Sequence, residues 1–486
     1  MVKSDIGVFG LAVMGENIAL NIESKGYKVS VYNRNGEVTK KFIQSRGAGR
    51  NIYPGYSLKD FIDSLAIPRK IIMMVRAGDA VDQVIDSLLP HLSPGDILLD
   101  GGNSNHTDTA RRLMKVEGEG LLYVGTGISG GEEGALNGPS LMPGGSVEAW
   151  PQIENIFAAI SAKAKDGAPC SSWIGPEGSG HFVKMVHNGI EYADMQIISE
   201  GYFLLKNLFK LDNTSISSLF RKWNEGELES YLTGITYKIL DYREDNGEFL
   251  IDKILDSAGQ KGTGKWSVIN AMELSIPFGV IAAALFERSL SFRKELRVKA
   301  SDLYQTYFAD NTGILKNMDI GTDDIMNALY VSKIISYSQG FSLLSGASGQ
   351  WGWNLKLREI ARIWRNGCII RSSFLDHIAN AYDKDPDLEH LLLADYFKDQ
   401  TGKRIKSFRK VVSTATLAGV SVPALSSALN YFTSLTTKRL PANLIQAQRD
   451  FFGAHSFERI DRPGGEFFHE NWTGKGGEAK SGRYNA

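Results

Sequence analysis

The chain has 486 residues, with 54 Lys and Arg against 55 Asp and Glu, so its formal net charge is -1. That length suggests two to four domains, and the 43% hydrophobic and 22% charged content is that of a globular protein, which argues against global disorder. The balanced charge leaves no footprint for nucleic acid or an anionic membrane surface, and the longest apolar run, Ile276 to Phe286, is too short to cross a bilayer. The N-terminus has no signal-peptide stretch and enters a strand-like run at once. Two cysteines, Cys170 and Cys368, cannot build a disulfide framework or a multi-cysteine metal site, and read as reduced structural thiols of a cytoplasmic protein.

In chain order, buried strands are predicted at Ile6–Phe9, Lys28–Tyr32, Lys70–Val75, Asp96–Leu99 and Leu121–Val124, alternating with helical segments. Such alternation implies a parallel sheet wrapped by helices. Nine of the 14 prolines fall at or before Pro176, and only Pro277, Pro386 and Pro423 occur between 178 and 434. Because proline is expelled from helix interiors, that middle region is predicted to be helical throughout. It also repeats: Ile198-Ser-Glu-Gly-Tyr-Phe-Leu-Leu205 is similar to Tyr337-Ser-Gln-Gly-Phe-Ser-Leu-Leu344 at an offset of about 139 residues, and W-x-x-G follows each, at Trp223 and Trp364. One helical bundle, duplicated and packed on itself, is expected. Residues 441–486 contain only three aliphatic Leu, Ile or Val residues, Leu444, Ile445 and Ile460, too few to form a core, so this tail is expected to dangle or lie on another surface.

The first strand ends in Gly10-Leu11-Ala12-Val13-Met14-Gly15, and a helical run, Glu16 to Ser24, follows. A glycine makes the tight turn, small Ala12 admits a pyrophosphate, Gly15 allows close packing, and the helix N-terminus offers free N–H groups. The strand–turn–helix context marks a dinucleotide site. The second strand ends Tyr32-Asn33-Arg34-Asn35 where an NAD site normally has an acid. An arginine there pairs with a 2′-phosphate, so the cofactor is read as NADP.

Lys184, His187, Asn188, Glu191 and Tyr192 fall at i, i+3, i+4, i+7 and i+8, one face of a helix. The second repeat carries Asp323, Met326, Asn327, Tyr330 and Val331 there, so packing does not demand the first copy's polar set. His187 and Glu191 lack a third ligand at useful spacing, and no metal is expected. An enclosed lysine loses basicity and can act as a base, while a protonated glutamate can return a proton.

On these residues the chain resembles the family of decarboxylating 6-phosphogluconate dehydrogenases along essentially its whole length. The resemblance is carried by Gly10–Gly15, Asp100-Gly-Gly-Asn-Ser104, Gly127-Ile-Ser-Gly-Gly-Glu-Glu-Gly134, the Lys184–Tyr192 helix, Lys261-Gly-Thr-Gly-Lys-Trp266 and Gln448-Arg-Asp-Phe-Phe-Gly-Ala-His455. It implies an α/β Rossmann domain over 1–177, a large all-α domain with an internal duplication over 178–440, and a C-terminal tail, 441–486, that reaches the partner of a homodimer. It implies Lys184 as general base and Glu191 as general acid. Cofactor contacts would be Gly10, Leu11, Ala12, Val13, Met14, Gly15, Asn33, Arg34, Asn35, Val75, Arg76, Ala77 and Asn103. Substrate contacts would be Asn103, Ser129, Gly130, Gly131, His187, Asn188, Tyr192, Lys261 and Arg288, with Arg449 and His455 from the second chain. The implied reaction converts 6-phosphogluconate to ribulose 5-phosphate and CO2 with reduction of NADP. The family usually reads Asn-Arg-Thr at Asn33-Arg34-Asn35 and Val-Lys-Ala at Val75-Arg76-Ala77, which bears on nucleotide preference. A different β-hydroxyacid dehydrogenase, or an NADP-binding protein without catalysis, are the competing readings. The former lacks the duplication and the Arg449–His455 motif; intact Lys184, Asn188 and Glu191 oppose the latter.

Overall fold

In the computed structural model, residues 3–260, 262–305 and 319–476 are described. By compactness the chain divides into residues 1–428 and 429–486. The first unit opens with a seven-stranded sheet of order β3-β2-β1-β4-β5-β6-β7, formed by β1 (Ile6–Phe9), β2 (Val29–Tyr32), β3 (Ile52–Pro54), β4 (Lys70–Met73), β5 (Ile97–Asp100), β6 (Leu122–Ser129) and β7 (Ser140–Gly145). All neighbours pair in parallel except β7, which runs antiparallel to β6. Seven helices accompany it: α1 (Val13–Ser24), α2 (Gly36–Gln44), α3 (Leu58–Asp63), α4 (Asp79–Leu88), α5 (His106–Glu117), α6 (Gly131–Asn137) and α7 (Trp150–Ile160). Alternate strand residues serve opposite faces. Ile6, Val8, Ile97 and Leu99 pack with Ile18 of α1 and Phe157 of α7, whereas Ile71, Met73 and Leu98 pack with Phe61, Ile85 and Val116 of α3, α4 and α5.

The five predicted strands are present, Ile6–Phe9 with the expected ends and the other four with shifted ones. β4 stops at Met73, and Met74 and Val75 leave the sheet to line a cleft. The expected helix at Glu16 begins three residues earlier, at Val13. Two strands were not foreseen. β3 is short and holds Pro54; β7 reads as a turn because Pro143 and two glycines interrupt it, a composition that an edge strand tolerates.

The helical region comprises α8 (Ser179–Asn207), α9 (Asn213–Asn224), α10 (Tyr231–Asp241), α11 (Thr263–Glu273), α12 (Gly279–Ser291), α13 (Lys294–Tyr304), α14 (Thr322–Trp351), α15 (Leu357–Ile363), α16 (Leu375–Lys384), α17 (Asp395–Leu417) and α18 (Pro423–Leu435). The duplication is physical. A side chain at Gly201 would strike Leu329, and one at Gly340 would strike Ile190; adding the 139-residue offset to the glycine and subtracting it from its partner turns one contact into the other. Lys333 and Asp194, 139 residues apart, form a buried ion pair of 2.7 Å where α8 crosses α14. The reciprocity continues beyond the two helices: Tyr231 N donates to Arg371 O and Ser373 N to Glu229 O, both at 3.1 Å, around a Ser230–Ser372 bridge.

The second unit is more ordered than its aliphatic content implies. Helix α19 (Ala442–Gly453) presents Asp450, whose buried carboxylate accepts Ser456 N, His469 Nδ1, Glu470 N and Trp472 Nε1 at 2.8–3.1 Å. Burial opposes ionisation of Asp450, but these hydrogen bonds outweigh it and hold its pKa below the usual carboxylate value. A carboxylate hub replaces a core, while Leu444, Ile445, Phe451, Phe452 and Ile460 remain exposed.

The Asp194–Lys333 pair yields a stability test. Lys333→Met alone leaves a buried, unpaired carboxylate and should lower the unfolding free energy by roughly 3–5 kcal/mol. Combining it with Asp194→Leu should recover most of that loss in urea titrations at fixed protein concentration. A double variant no more stable than the single one would contradict this role.

Candidate active site

The parallel sheet sends the chain to opposite sides after β1 and β4, and ligands of such sheets bind outside the strand ends at that point. Gly10 has φ +101°, and a Cβ there would sit 2.6 Å from Met74 O; one on Gly15 would sit 1.9 Å from Gly10 O. Both turn glycines are therefore sterically required. Leu11 N donates to Asn33 Oδ1 at 3.2 Å, which ties the turn to the end of β2. Arg34 and Asn35 are exposed there, and Asn35 also caps α2 by accepting from Glu37 N. A cleft of about 590 Å³ runs past Gly10–Ala12, Asn33–Asn35, Val75 and Arg76. It shares Ala12, Met74, Val75 and Arg76 with another of about 850 Å³ that is lined by Val13, Met14, Ala77 and Asn103. These residues fit a dinucleotide: the backbone is bare at the turn, α1 begins at Val13, and the exposed Arg34 lines the cleft at the end of β2.

Asn103 lies on a loop that β5 anchors. Asp100 accepts Gly102 N at 3.0 Å, Ser104 Oγ at 2.6 Å and Tyr123 OH at 3.2 Å, and fully buried Arg112 approaches it to 3.6 Å. The Asp100-Gly-Gly-Asn-Ser104 motif is thus a loop with its own carboxylate anchor, which the sequence reading did not assign.

Helix α8 crosses the sheet at its glycines. A Cβ on Gly180 would lie 2.4 Å from both Gly125 O and Met142 O, and one on Gly127 would lie 2.4 Å from Lys184 Cβ. This approach brings Lys184 beside Ser129, at the C-terminal end of β6. Ser129 Oγ is 3.1 Å from His187 Nε2, and Lys184 Nζ is 3.4 Å from His187 Nδ1. Asn188 Nδ2 donates to Thr263 Oγ1 at 3.0 Å, so its Oδ1 accepts; at 3.1 Å the donor is His187 Nδ1–H, which leaves Nε2 to accept from Ser129. Thr263 belongs to the Lys261-Gly-Thr-Gly motif but was not expected in the site. Trp364, from the second repeat, packs edge-on to His187 with centroids 5.7 Å apart.

Beyond Ser129, Gly130 (φ +128°) and Gly131 (φ +64°) open helix α6, and a Cβ on Gly130 would strike Gly367 O at 2.6 Å. One turn along α8 from His187, Glu191 Oε2 lies 3.9 Å from His187 Nδ1. The Tyr192 ring packs where Gly264 has no side chain and carries the Arg288 guanidinium 3.7 Å above its centroid. Lys261 lies outside the described residues. Arg449 and His455 belong to the second unit, where Arg449 donates to Gln446 and the His455 ring meets Phe452.

Electrostatics separates the candidate base from the candidate acid. Burial lowers the Lys184 pKa, with Glu191 pulling the other way. Burial raises that of Glu191 against the attraction of Lys184 and Arg288. His187 is held neutral, well below its ordinary value, by burial and by the neighbouring Lys184. Burial pushes the Cys368 thiol up to about 12 and that of Cys170 to about 11, so both are inert near neutral pH. Among the described residues, no three His, Cys, Asp or Glu side chains converge as metal ligands, and no helix is long and apolar enough to cross a membrane.

A dinucleotide fold whose strand ends meet a buried lysine and a half-buried glutamate on one helix face defines a nicotinamide-dependent dehydrogenase. Residues 5–175 match the NAD binding domain of 6-phosphogluconate dehydrogenase, and residues 180–472 match the C-terminal domain of 6-phosphogluconate dehydrogenase. The decarboxylating 6-phosphogluconate dehydrogenase of Haemophilus influenzae is 50% identical, over 99% of each chain. That of Mus musculus is 49% identical over 100% of each. The Plasmodium falciparum 6-phosphogluconate dehydrogenase, studied in apo form and in complex with its cofactor NADP+ and with its substrate 6-phosphogluconate, superposes with a TM-score of 0.90 at 45% identity, covering 96% of this chain and 100% of that one. The chain belongs to the 6-phosphogluconate dehydrogenase family. Its activity is the NADP-dependent oxidative decarboxylation of 6-phosphogluconate.

The Gly127–Lys184 contact is testable. Gly127→Ala must displace the Lys184 stem, and a displacement near 1 Å should cut kcat by about tenfold to a hundredfold. Circular dichroism should be unchanged, and kcat at the level of the unmodified protein would show that the contact is not needed.

Proposed function

We propose that Lys184 and Glu191 divide the proton transfers of this reaction. The observation that carries this reading is their placement on one face of α8, with burial moving the two pKa values in opposite directions. Neutral Lys184 takes the proton of the C3 hydroxyl of 6-phosphogluconate. NADP, when bound, supplies the acceptor for the hydride that leaves C3. The 3-keto acid has its carboxylate β to a carbonyl, and protonated Lys184 hydrogen-bonds that carbonyl oxygen as CO2 departs. Glu191 then protonates C1 of the enediol, giving ribulose 5-phosphate. Ser129, Gly130 and Gly131 hold the carboxylate end of the substrate, His187 and Asn188 its hydroxyls, and Tyr192, Lys261 and Arg288 its phosphate.

The proposed division of labour assigns 1–177 to NADP, 178–440 to substrate and dimer contacts, and 441–486 to the site of a partner subunit. Support for a homodimer with shared sites comes from α19, which exposes Leu444, Ile445, Phe451 and Phe452 beside Arg449. Exposed Met272, Phe286, Phe292 and Leu296 on and around α11–α13 offer further apolar area for a second copy. The proposed compartment is the cytoplasm, which the two free, buried cysteines support.

Three outcomes test these assignments. Lys184→Ala should abolish single-turnover NADPH formation, while Glu191→Gln should spare hydride transfer and impair tritium uptake at C1; equal loss of hydride transfer in both would refute the division. Because the Glu191 carboxylate holds the Lys184 pKa up, Glu191→Gln should also shift the lysine-dependent limb of the kcat/KM profile to lower pH.

Arg34→Asp replaces a charge-assisted pair, worth about 1.5–3 kcal/mol, by repulsion. It should weaken NADP binding by about tenfold to a hundredfold or more and favour NAD; unchanged NADP affinity in titrations would place the 2′-phosphate elsewhere.

Lys184→Ala supplies a sound tail and Arg449→Ala a sound body. Co-refolding them should regenerate about a quarter of the active sites through mixed dimers. No recovered activity, with mixed dimers verified by mass, would mean that each tail serves its own chain.

A further inference from the structure

One buried hydrogen bond near the reacting groups has no part in the proton transfers. His181 lies one turn before Lys184 on α8 and is 2% exposed. Its Nδ1 is 2.7 Å from Oγ1 of Thr109, a fully buried residue of α5. Thr109 Oγ1 is also 3.0 Å from Asn105 O, at the end of the loop that carries Asn103. The other ring nitrogen of His181 is buried without a hydrogen-bond partner, and the backbone of Asp100 and Gly102, where β5 passes into that loop, acts on the ring. The sheet is built around this bond: a Cβ on Gly125 would lie 2.5 Å from Thr109 Cγ2 and 2.8 Å from His181 Nδ1.

A purely space-filling role does not account for these choices. An apolar side chain would fill the volume without the cost of burying an imidazole and a hydroxyl, which are tolerated only when hydrogen-bonded. Burial keeps His181 neutral, against the pull of Asp100 and the loop carbonyls. The imidazole thus acts as a fixed bracket between helix α8 and the loop, not as a proton carrier. A second strap runs parallel to it: His106 Nε2, at the start of α5, is 2.9 Å from Asn270 Oδ1 on α11, the helix that supplies Thr263 to Asn188.

We propose that His181 and Thr109 are positioning residues for hydride transfer, holding the Asn103 loop at the cofactor cleft in register with Lys184. This inference rests on the reading of Asn103 as a cofactor and substrate contact and of Lys184 as the base. Neither His181 nor Thr109 lines the cofactor clefts; both act through the distance between Lys184 and the cleft that Asn103 lines. Reactions that depend on such alignment lose about a hundredfold for a displacement near 1 Å.

The test compares Thr109→Val with Thr109→Ser, and His181→Asn with His181→Gln, in the full-length protein. The substrate is 6-phosphogluconate carrying hydrogen or deuterium at C3. Thr109→Val should lower kcat by about tenfold to a hundredfold, raise the deuterium isotope effect on kcat, and leave both KM values within about twofold. Thr109→Ser, which keeps the hydroxyl, should restore most of kcat. His181→Asn, whose amide can stand near the Nδ1 position, should outperform His181→Gln, and this comparison decides the matter if Thr109→Val does not fold. Unchanged kcat and isotope effect in Thr109→Val would overturn the proposal. A kcat loss that merely tracks lost thermal stability with an unchanged isotope effect, or Gln performing as well as Asn, would do the same. Lys184→Ala separates this result from the reading beneath it: retained hydride transfer there would remove the base assignment, whereas a dead Lys184→Ala beside a normal Thr109→Val would remove only the bracket.

Discussion

The active site depends on the close approach of helix α8 to the end of the sheet. Gly125, Gly127, Gly144 and Gly180 leave no side chains between them, so backbone meets backbone and the Lys184 stem lies against β6. A helix packed on a sheet through ordinary side chains stands about 10 Å away, a distance comparable to that between stacked sheets. Here the separation shrinks, and a lysine that starts on a helix reaches the crevice beyond the strand ends. Burial follows from the same contact, and burial lowers the lysine pKa and raises that of Glu191 further along the helix.

Duplication supplies the other half of the site. The two long helices α8 and α14 cross with reciprocal contacts, Gly201 on Leu329 and Gly340 on Ile190, and with Asp194 paired to Lys333 between them. Symmetry of packing does not carry over to chemistry. Only α8 bears the Lys–His–Asn–Glu–Tyr set; the corresponding positions of α14 are Asp323, Met326, Asn327, Tyr330 and Val331. The second copy serves the first instead, with Trp364 against His187 and Gly367 O beneath Gly130. One repeat carries the Lys184–Tyr192 face and the other buttresses it, which pre-organises that face without a second copy of it.

Much of this was legible before any fold was known, for local reasons. The Gly10–Gly15 turn, the missing acid at Arg34 and the Lys184–Tyr192 face are patterns of a few residues at fixed helical or turn spacing, and the structure places each on the expected element. The repeat was legible because two helices that pack by a common pattern retain common residues. β7 was not: Pro143 and its glycines suit an antiparallel edge but read as a turn. The order of the tail was also missed, because the count of aliphatic residues says nothing of a buried carboxylate with four donors.

The sequence by itself determined the dinucleotide turn, the helical duplication and the stripe of chemistry-bearing side chains, because each depends on spacing along one element. Only the tertiary structure decided which groups face that stripe. Thr263 on Asn188, Ser129 and Trp364 on His187, Arg288 on Tyr192 and Thr109 on His181 join residues 58 to 177 positions apart. No local periodicity encodes such pairs. They arise when glycines let a helix sink onto a strand, and the opposite pKa shifts of Lys184 and Glu191 exist only once that burial is complete.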